Sequence, residues 1–315
     1  MNKLLITGGL GFIGTNLIQN LLKENEFNIV SVDNNFINVK PTIFQKRITT
    51  YFCDITDRKK LEYIFKKERP DIVVHLAAIH YIPYCISRPS ETIMNNVIGT
   101  ESVLNAAKKN NVLKVIFASS AAVYKPSDYK HKENDELKPL EIYGESKLFG
   151  EYILQRYSKE TDIKSIALRL FNVYGDYETN PHLIPDLVKQ IKDGKTKITL
   201  GNLEPKRDYI HVNDVVHAIQ MLINFETKDE FQVYNVGTGI GTSVEKIAEY
   251  LEENCKNKLI FNSISKKKRK NDRMNLVADI SKIKEELGWY PKINVKEGIA
   301  KLLESDNYFQ QKNSD

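Results

Sequence analysis

Cysteine is scarce in this chain: Cys53, Cys85 and Cys255 are the three among 315 residues, too few and too scattered for a disulfide framework or a zinc site. Each is expected to be a small buried or surface residue, and no metal centre is expected. No apolar run approaches the ~20 residues that a membrane span requires, so no membrane partner is expected. Met1-Asn-Lys3 runs straight into an apolar stretch without the basic region and cleavage site of a secretory leader, which points to a cytoplasmic protein. Internal repeats and low-complexity segments are absent. Charge of one sign is not dominant either, since 46 Lys and Arg against 41 Asp and Glu leave a net charge of +5. The clearest basic block, Lys266-Lys267-Lys268-Arg269-Lys270, lacks aromatic interleaving or a nucleic-acid motif, so nucleic acid is not an expected partner. The polar end, Gln310 to Asp315, is expected to fray.

What is present is organised around the first residues. Lys3-Leu-Leu-Ile-Thr7 reads as a buried strand, and Gly8, Gly11 and Gly14 follow at three-residue spacing before a helix whose apolar face carries Phe12, Ile13, Leu17, Leu21 and Leu22. A Cβ in such a turn would block the close approach of a pyrophosphate, and the helix start offers unpaired N–H groups and the positive end of its dipole. A second apolar run, Phe27-Asn-Ile-Val-Ser-Val32, ends in Asp33, at the distance expected for a carboxylate that accepts from adenosine ribose hydroxyls. The simpler role for Asp33 is a turn residue before Asn34-Asn35. An acid here repels a 2′-phosphate, so NAD is the expected cofactor rather than NADP.

Strands and helices alternate through the first half, which predicts an α/β fold: a Rossmann-type, doubly wound parallel sheet. Strands are expected near 48–52, 72–76, 114–118 and 164–170, and helices near 58–67, 91–110 and 143–157. In the second half, short strands near 197–200 and 207–211 and helices near 212–223, 244–253 and 281–287 are split by polar loops. The expected division is a nucleotide-binding domain over 1–170, with some later segments returning to it, and a smaller substrate-binding lobe over 171–315.

The chemistry centres on Tyr143-Gly-Glu-Ser-Lys147. Residues i and i+4 share a helix face, so Lys147 is expected beside Tyr143, where an ammonium lowers the phenol's pKa. A tyrosine so tuned takes a proton from a sugar hydroxyl while hydride leaves the same carbon. Phe117-Ala-Ser119-Ser120-Ala121-Ala122-Val-Tyr124 supplies a hydroxyl at a strand end, with Ser120 preferred over Ser119. The loop His80-Tyr-Ile-Pro-Tyr-Cys-Ile-Ser-Arg-Pro89 reads equally as a shaped pocket wall or a packed loop, with Arg88 a possible surface charge.

These motifs together resemble the extended short-chain dehydrogenases/reductases, the NAD-dependent nucleotide-sugar epimerase/dehydratase family, over nearly the whole chain. The resemblance makes Gly8, Gly11, Phe12, Ile13 and Gly14 the dinucleotide loop, Asp33 and Asn34 the ribose clamp, and Asp54 and Ile55 the adenine contact. It places Leu76, Ala77 and Ala78 of His75-Leu-Ala-Ala78 under the cofactor, with Phe171 nearby, and makes Asn96 a support of the active-site helix. Ser120, Tyr143 and Lys147 match the catalytic triad: hydroxyl polariser, acid/base, and ribose-binding lysine. On the substrate side, His80 follows the strand where the family places sugar contacts. Asn172 and Arg207 match diphosphate-binding positions. Spacing back from Ala278-Asp279 makes Arg269 the second diphosphate arginine, with Asp272 near the nucleotide ribose. The plainer role for Arg207 is an ion pair with Asp208 or Asp214. Tyr234-Asn-Val-Gly-Thr-Gly239 resembles the loop joining two lobes.

One departure narrows the reaction. Family 4,6-dehydratases carry Asp-Glu directly after the catalytic hydroxyl residue, where this chain has Ala121-Ala122, which have no proton to give or take. What remains is oxidation of a sugar hydroxyl, at C4 by the family's tendency, and its return. The resemblance therefore implies a nucleotide-sugar 4-epimerase in bacterial surface-polysaccharide synthesis, acting on a UDP- or GDP-linked sugar as a homodimer. The alternative is a net C4 dehydrogenase of a UDP- or GDP-linked hexose or heptose that releases the 4-keto sugar. An NADPH-dependent reductase and a non-catalytic NAD-binding protein are further alternatives, disfavoured by Asp33 and by the intact Tyr143–Lys147 pair respectively.

Overall fold

Short apolar runs buried on both faces become the inner strands of the main sheet, and amphipathic stretches between them become helices. The computed structural model describes residues 2–24, 26–35, 48–178, 180–201, 203–255, 257–263 and 273–305. In chain order these fold as β1 (Lys3–Thr7), α1 (Phe12–Glu24), β2 (Asn28–Asp33), β3 (Ile48–Phe52), α2 (Arg58–Glu68), β4 (Ile72–His75), α3 (Ile82–Ser87), α4 (Pro89–Ile93) and α5 (Gly99–Lys109). Next come β5 (Lys114–Ser120), α6 (Ile142–Glu160), β6 (Lys164–Leu170), β7 (Asn172–Tyr174), α7 (Leu183–Lys192), β8 (Lys197–Leu200), β9 (Lys206–His211), α8 (Val212–Asn224) and β10 (Phe231–Val236). The chain closes with β11 (Gly241–Ser243), α9 (Val244–Glu253), β12 (Ile260–Ser263), β13 (Asn275–Leu276), α10 (Ser281–Leu287) and α11 (Val295–Glu304).

The chain divides into two compact units. The first comprises Met1–Lys125, Glu136–Leu170 and Val216–Tyr234. Its sheet runs β3-β2-β1-β4-β5-β6-β10, and the five pairings from β3 to β6 are parallel. This is the doubly wound arrangement expected from the sequence. The order reverses between β1 and β4, the switch point outside which such sheets bind ligands. Leu61, Ile64 and Phe65 of α2 and Val103 and Leu104 of α5 cover one face of the sheet, against Val30, Val32, Val73, Val115 and Phe117. Each such side chain contributes roughly 1.5–3 kcal/mol on burial.

The helical stretch expected over 91–110 is interrupted. Between α4 and α5, Met94–Ile98 form a π-helical turn, a feature that often marks functional sites. Residues 80–89, read as a loop, contain the short helix α3, opened by Pro83 near its start and buried through Cys85. Arg88 takes the surface role, paired with Glu91 at 2.7 Å.

The second unit comprises Pro126–Asp135, Phe171–Val215 and Asn235–Asp315. Pro126–Asp135, within the 1–170 range, groups here because His131 N–H donates to Val277 O and Asp279 N–H to His131 O, both at 2.8 Å. A small sheet centres on β9, which pairs with β7 and β13 in parallel and with β11 antiparallel. A separate parallel pair joins β8 to β12. Its core gathers Tyr174, Leu187, Val188, Ile198, Ile247, Leu251 and Ile299.

Candidate active site

The glycine turn is fixed by close backbone approach. Gly8 adopts a φ of +71°, and a Cβ there would lie 2.7 Å from Ala77 N. Gly14 lies directly against Gly8 O, leaving no space for a side chain. Around Gly11 only Gly8 O is near, at 3.2 Å from where a Cβ would sit. The turn is thus closed on its protein side and open at Gly11, next to the first turn of α1, the cradle a pyrophosphate requires. Asp33 at the end of β2 accepts from Leu10 N–H at 3.0 Å and Asn35 N–H at 2.7 Å. It therefore serves as the turn residue and also faces the glycine loop; each carboxylate oxygen keeps a further lone pair for a hydroxyl donor. Burial pushes its pKa up against those two amides. Asp54 accepts from Thr56 N–H and hydroxyl and from the Asn34 side chain at 3.2 Å. Ile55 is buried against Gly99 of α5.

A polar chain runs beneath this loop through His75, which the sequence placed under the cofactor without a stated role. Thr100 Oγ1 donates to Asn96 O at 2.6 Å, so it accepts from Nε2–H of His75 at 2.9 Å. His75 Nδ1 is then the acceptor for the Thr7 hydroxyl at 2.6 Å, and Thr7 Oγ1 accepts from Ala77 N–H at 3.3 Å. Burial, with the charge of Lys147, holds the imidazole neutral with a pKa of about 3. Asn96, inside the π turn, accepts from Ile79 N–H and donates to Ile79 O, both at 2.8 Å. It also donates to Ser146 Oγ at 3.0 Å, and Ser146 donates to Tyr143 O at 2.7 Å. The expected support of the active-site helix is therefore a direct hydrogen bond onto α6. Leu76, Ala77 and Ala78 follow β4 along this path, and Phe171 follows β6, its N–H donating to Val236 O at 3.0 Å.

Ser120 closes β5, accepts from Ala122 N–H at 3.1 Å and lies close enough to the Tyr143 phenol to draw its pKa down. Ser119 is buried and donates to Glu151, which removes it from contention as the reactive hydroxyl. Ala121 and Ala122 form a buried 3₁₀ turn directly after Ser120. Tyr143 and Lys147 lie one turn apart on α6, as expected, but the electrostatics differ from the expectation. Burial pushes Tyr143 up to about 12 despite the opposing influence of Ser120. Lys147 Nζ turns instead to Ala118 O at 2.7 Å and lies 4.9 Å from the centre of the Phe117 ring. Burial brings Lys147 down to about 7. The ammonium is thus directed at a carbonyl and a ring face rather than at the phenol, and desolvation decides both shifts. His80 is held at about 4 by burial and by Lys147, opposed by its bond to the Ala78 carbonyl. Three titratable side chains displaced this far around one strand end are characteristic of a reactive site.

In the second unit, β7 lies beside β9 with Asn172 opposite Tyr209. Strand alternation then places Asn172, Tyr209 and Arg207 on one face. Asp208, behind them, accepts from Thr238 N–H and hydroxyl, Gly239 N–H and Ala278 N–H. Asp214 accepts from Lys292 and Ile293 N–H, both at 3.0 Å. Both carboxylates therefore serve the backbone, which weakens the plainer ion-pair role for Arg207. Arg269 and Asp272 lie outside the described residues.

A family model described as GDP-mannose 4,6 dehydratase matches residues 5–302. The chain belongs to this family, within the extended short-chain dehydrogenases/reductases. Among relatives of this dehydratase-type family, the UDP-glucose 4-epimerase of Lactobacillus helveticus is 32% identical, with 95% of each chain covered. A UDP-glucose 4-epimerase from Thermotoga maritima, solved with UDP-glucose, superposes with a TM-score of 0.87 at 29% identity, covering 96% of this chain and 97% of that one. The Bifidobacterium longum UDP-glucose 4-epimerase, solved with NAD+ and UDP, gives 0.88 at 29% identity over the same shares. Two features of this family member escaped the sequence reading, the polar role of His75 and a buried Glu151–Arg169 pair. The second carried a signal: Arg169 interrupts an apolar strand run, Leu168-Arg-Leu170, and a buried arginine requires an acidic partner.

Proposed function

We propose that this chain is an NAD-dependent nucleotide-sugar 4-epimerase. The observation that carries it is Ser120 at the end of β5 close enough to the Tyr143 phenol to draw its pKa down, with Lys147 one turn along α6 and Ala121-Ala122 beside the serine. The glycine cradle and Asp33 fit NAD, which is solved bound to the Bifidobacterium longum relative. When bound, NAD supplies the acceptor that takes hydride from the sugar carbon and gives it back.

This chain's own groups do the rest. Ser120 Oγ–H polarises the C4 oxygen of the sugar, and Tyr143 Oη takes its proton and later returns it. Lys147 Nζ, one turn along α6 from Tyr143, holds the nicotinamide ribose. Arg207 and Asn172 bind the diphosphate, with Arg269 as the second arginine and Asp272 at the ribose, so that the 4-keto sugar turns over while its nucleotide stays anchored. His80 contacts the sugar. The relatives with UDP ligands favour a UDP-linked substrate over a GDP-linked one. The alanines at 121 and 122 leave no acid or base to expel water from C5 and C6, which argues against the dehydration that gives the family its description. The same reading makes the protein a cytoplasmic homodimer that serves bacterial surface-polysaccharide synthesis.

Incubation with NAD and a panel of UDP- and GDP-sugars tests this. The expected product is the C4 epimer, with no 4-keto-6-deoxy sugar and no net NADH. A panel that yields no epimer refutes it, and stoichiometric NADH release assigns the chain to the net dehydrogenases instead.

A further inference from the structure

We propose that Glu151 and Arg169 are positioning residues that hold Ser120 in place through tethers on both sides of it, Ser119 before and Tyr124 after. This rests on the hydride-transfer reading above.

Glu151 lies one turn beyond Lys147 and two beyond Tyr143 on α6, and its carboxylate is buried with the Arg169 guanidinium, the side chains being 5% and 3% exposed. Arg169 Nε donates to Oε1 at 3.0 Å and Nη2 to Oε2 at 2.8 Å, a two-pronged pair. Each member also bonds to a neighbouring side chain. Ser119 Oγ donates to Glu151 Oε1. Arg169 Nη1 donates to the Tyr124 hydroxyl at 3.0 Å, and its guanidinium stacks 4.8 Å from the centre of that ring. Ser119 and Arg169 are also register partners across β5 and β6.

The tethered residues flank the segment that carries Ser120 and the 3₁₀ turn 121–123. A buried ion pair is a poor device for stability, because desolvation offsets most of its attraction and apolar residues of the same volume pack as well. What it does provide is direction: four hydrogen bonds with fixed geometry, joining the serine-bearing strand end to the helix that bears Tyr143 and Lys147. Displacement of a reacting group by about 1 Å costs on the order of a hundredfold in rate.

The tethers are separable from the ion pair. Ser119→Ala with Tyr124→Phe removes both hydroxyls and leaves Glu151–Arg169 intact. The test is a double-mutant cycle, with single-turnover reduction of NAD by UDP-glucose and UDP-galactose as the readout, in the presence and absence of Ser120→Ala. With Ser120 present, the tether variant is expected to lose about tenfold or more in hydride transfer, with NAD affinity unchanged and cooperative unfolding retained. In the Ser120→Ala background the same two substitutions are expected to cost nothing further, because there is no hydroxyl left to position. A merely structural role lowers both backgrounds by the same factor, and that result, or no loss in either, overturns the proposal. An unmodified chain that transfers no hydride refutes the functional reading first, and the positioning role falls with it.

Discussion

In the proposed reaction Tyr143 is the residue on which the chemistry turns, and its environment sets a condition on it. In the protein alone burial holds its pKa at about 12, so at neutral pH it is a phenol. To act as a base it needs positive charge, and Lys147 is directed to Ala118 O. Binding of NAD+ is therefore expected to bring tyrosinate absorbance to lower pH, measured as the difference between the unmodified chain and Tyr143→Phe; identical titrations with and without NAD+ contradict this. Tyr143→Phe itself keeps the ring packing and is expected to lower turnover by roughly two to four orders of magnitude. Ser120→Ala should cost less, since it removes one hydrogen bond. A second residue-scale prediction concerns acid. His75 titrates near 3 and His80 near 4 in the folded chain, against an ordinary 6.5. As pH falls from 6.5 the unfolded chain takes up these protons and the folded chain does not, so stability falls with pH between about 6.5 and 3. Urea midpoints measured from about pH 7 down to about pH 4.5 should decline, and His75→Gln should flatten the decline.

At the scale of elements, β1, the glycine turn and α1 form one device, legible in the sequence because close backbone at Gly8 and Gly14 and the open cradle at Gly11 call for three glycines in register with a strand and an acid. Gly14→Ala forces a Cβ onto Gly8 O and is expected to abolish NAD binding by calorimetry while nucleotide-sugar binding through the second unit persists. The π turn over 94–98 was not legible, because one wider hydrogen-bonded turn inside a helix leaves the apolar pattern of 91–110 almost unchanged. It rotates Asn96 so that it reaches Ile79 and Ser146 together. The helix α3 hid for another reason: Pro83 and the mixed polarity of 80–89 look like a loop, and Cys85 is the residue through which the helix is buried. Charges made the third gap. Asp208, Asp214 and Arg169 look like surface residues in one dimension, whereas each is buried at 3% exposure or less on backbone amides or an opposite charge that arrives from distant sequence.

For the whole molecule the remaining question is how many copies act together, and the first unit carries the relevant surface. Phe149 and Tyr152 of α6 are each 54% exposed and meet edge to face at 6.4 Å between ring centres. Met94, on the π turn that packs against α6, is 52% exposed. A groove between α5 and α6 is lined by Glu101, Asn105, Lys108, Arg156 and Tyr157, so the aromatic pair adjoins a polar border, the layout of an apolar centre with a charged rim. Two large aromatics exposed side by side on α6, with Met94 exposed on the turn packed against that helix, form an apolar patch of the kind that marks a contact surface, and self-association through α5 and α6 covers it. We therefore expect a dimer by sedimentation velocity at micromolar concentration. Phe149→Glu with Tyr152→Glu places four charges at the centre of a two-fold contact and should yield monomers whose far-UV circular dichroism is unchanged, because neither side chain belongs to the core. A monomer from the unmodified chain, or a dimer that survives both glutamates, would show that this face is not the contact.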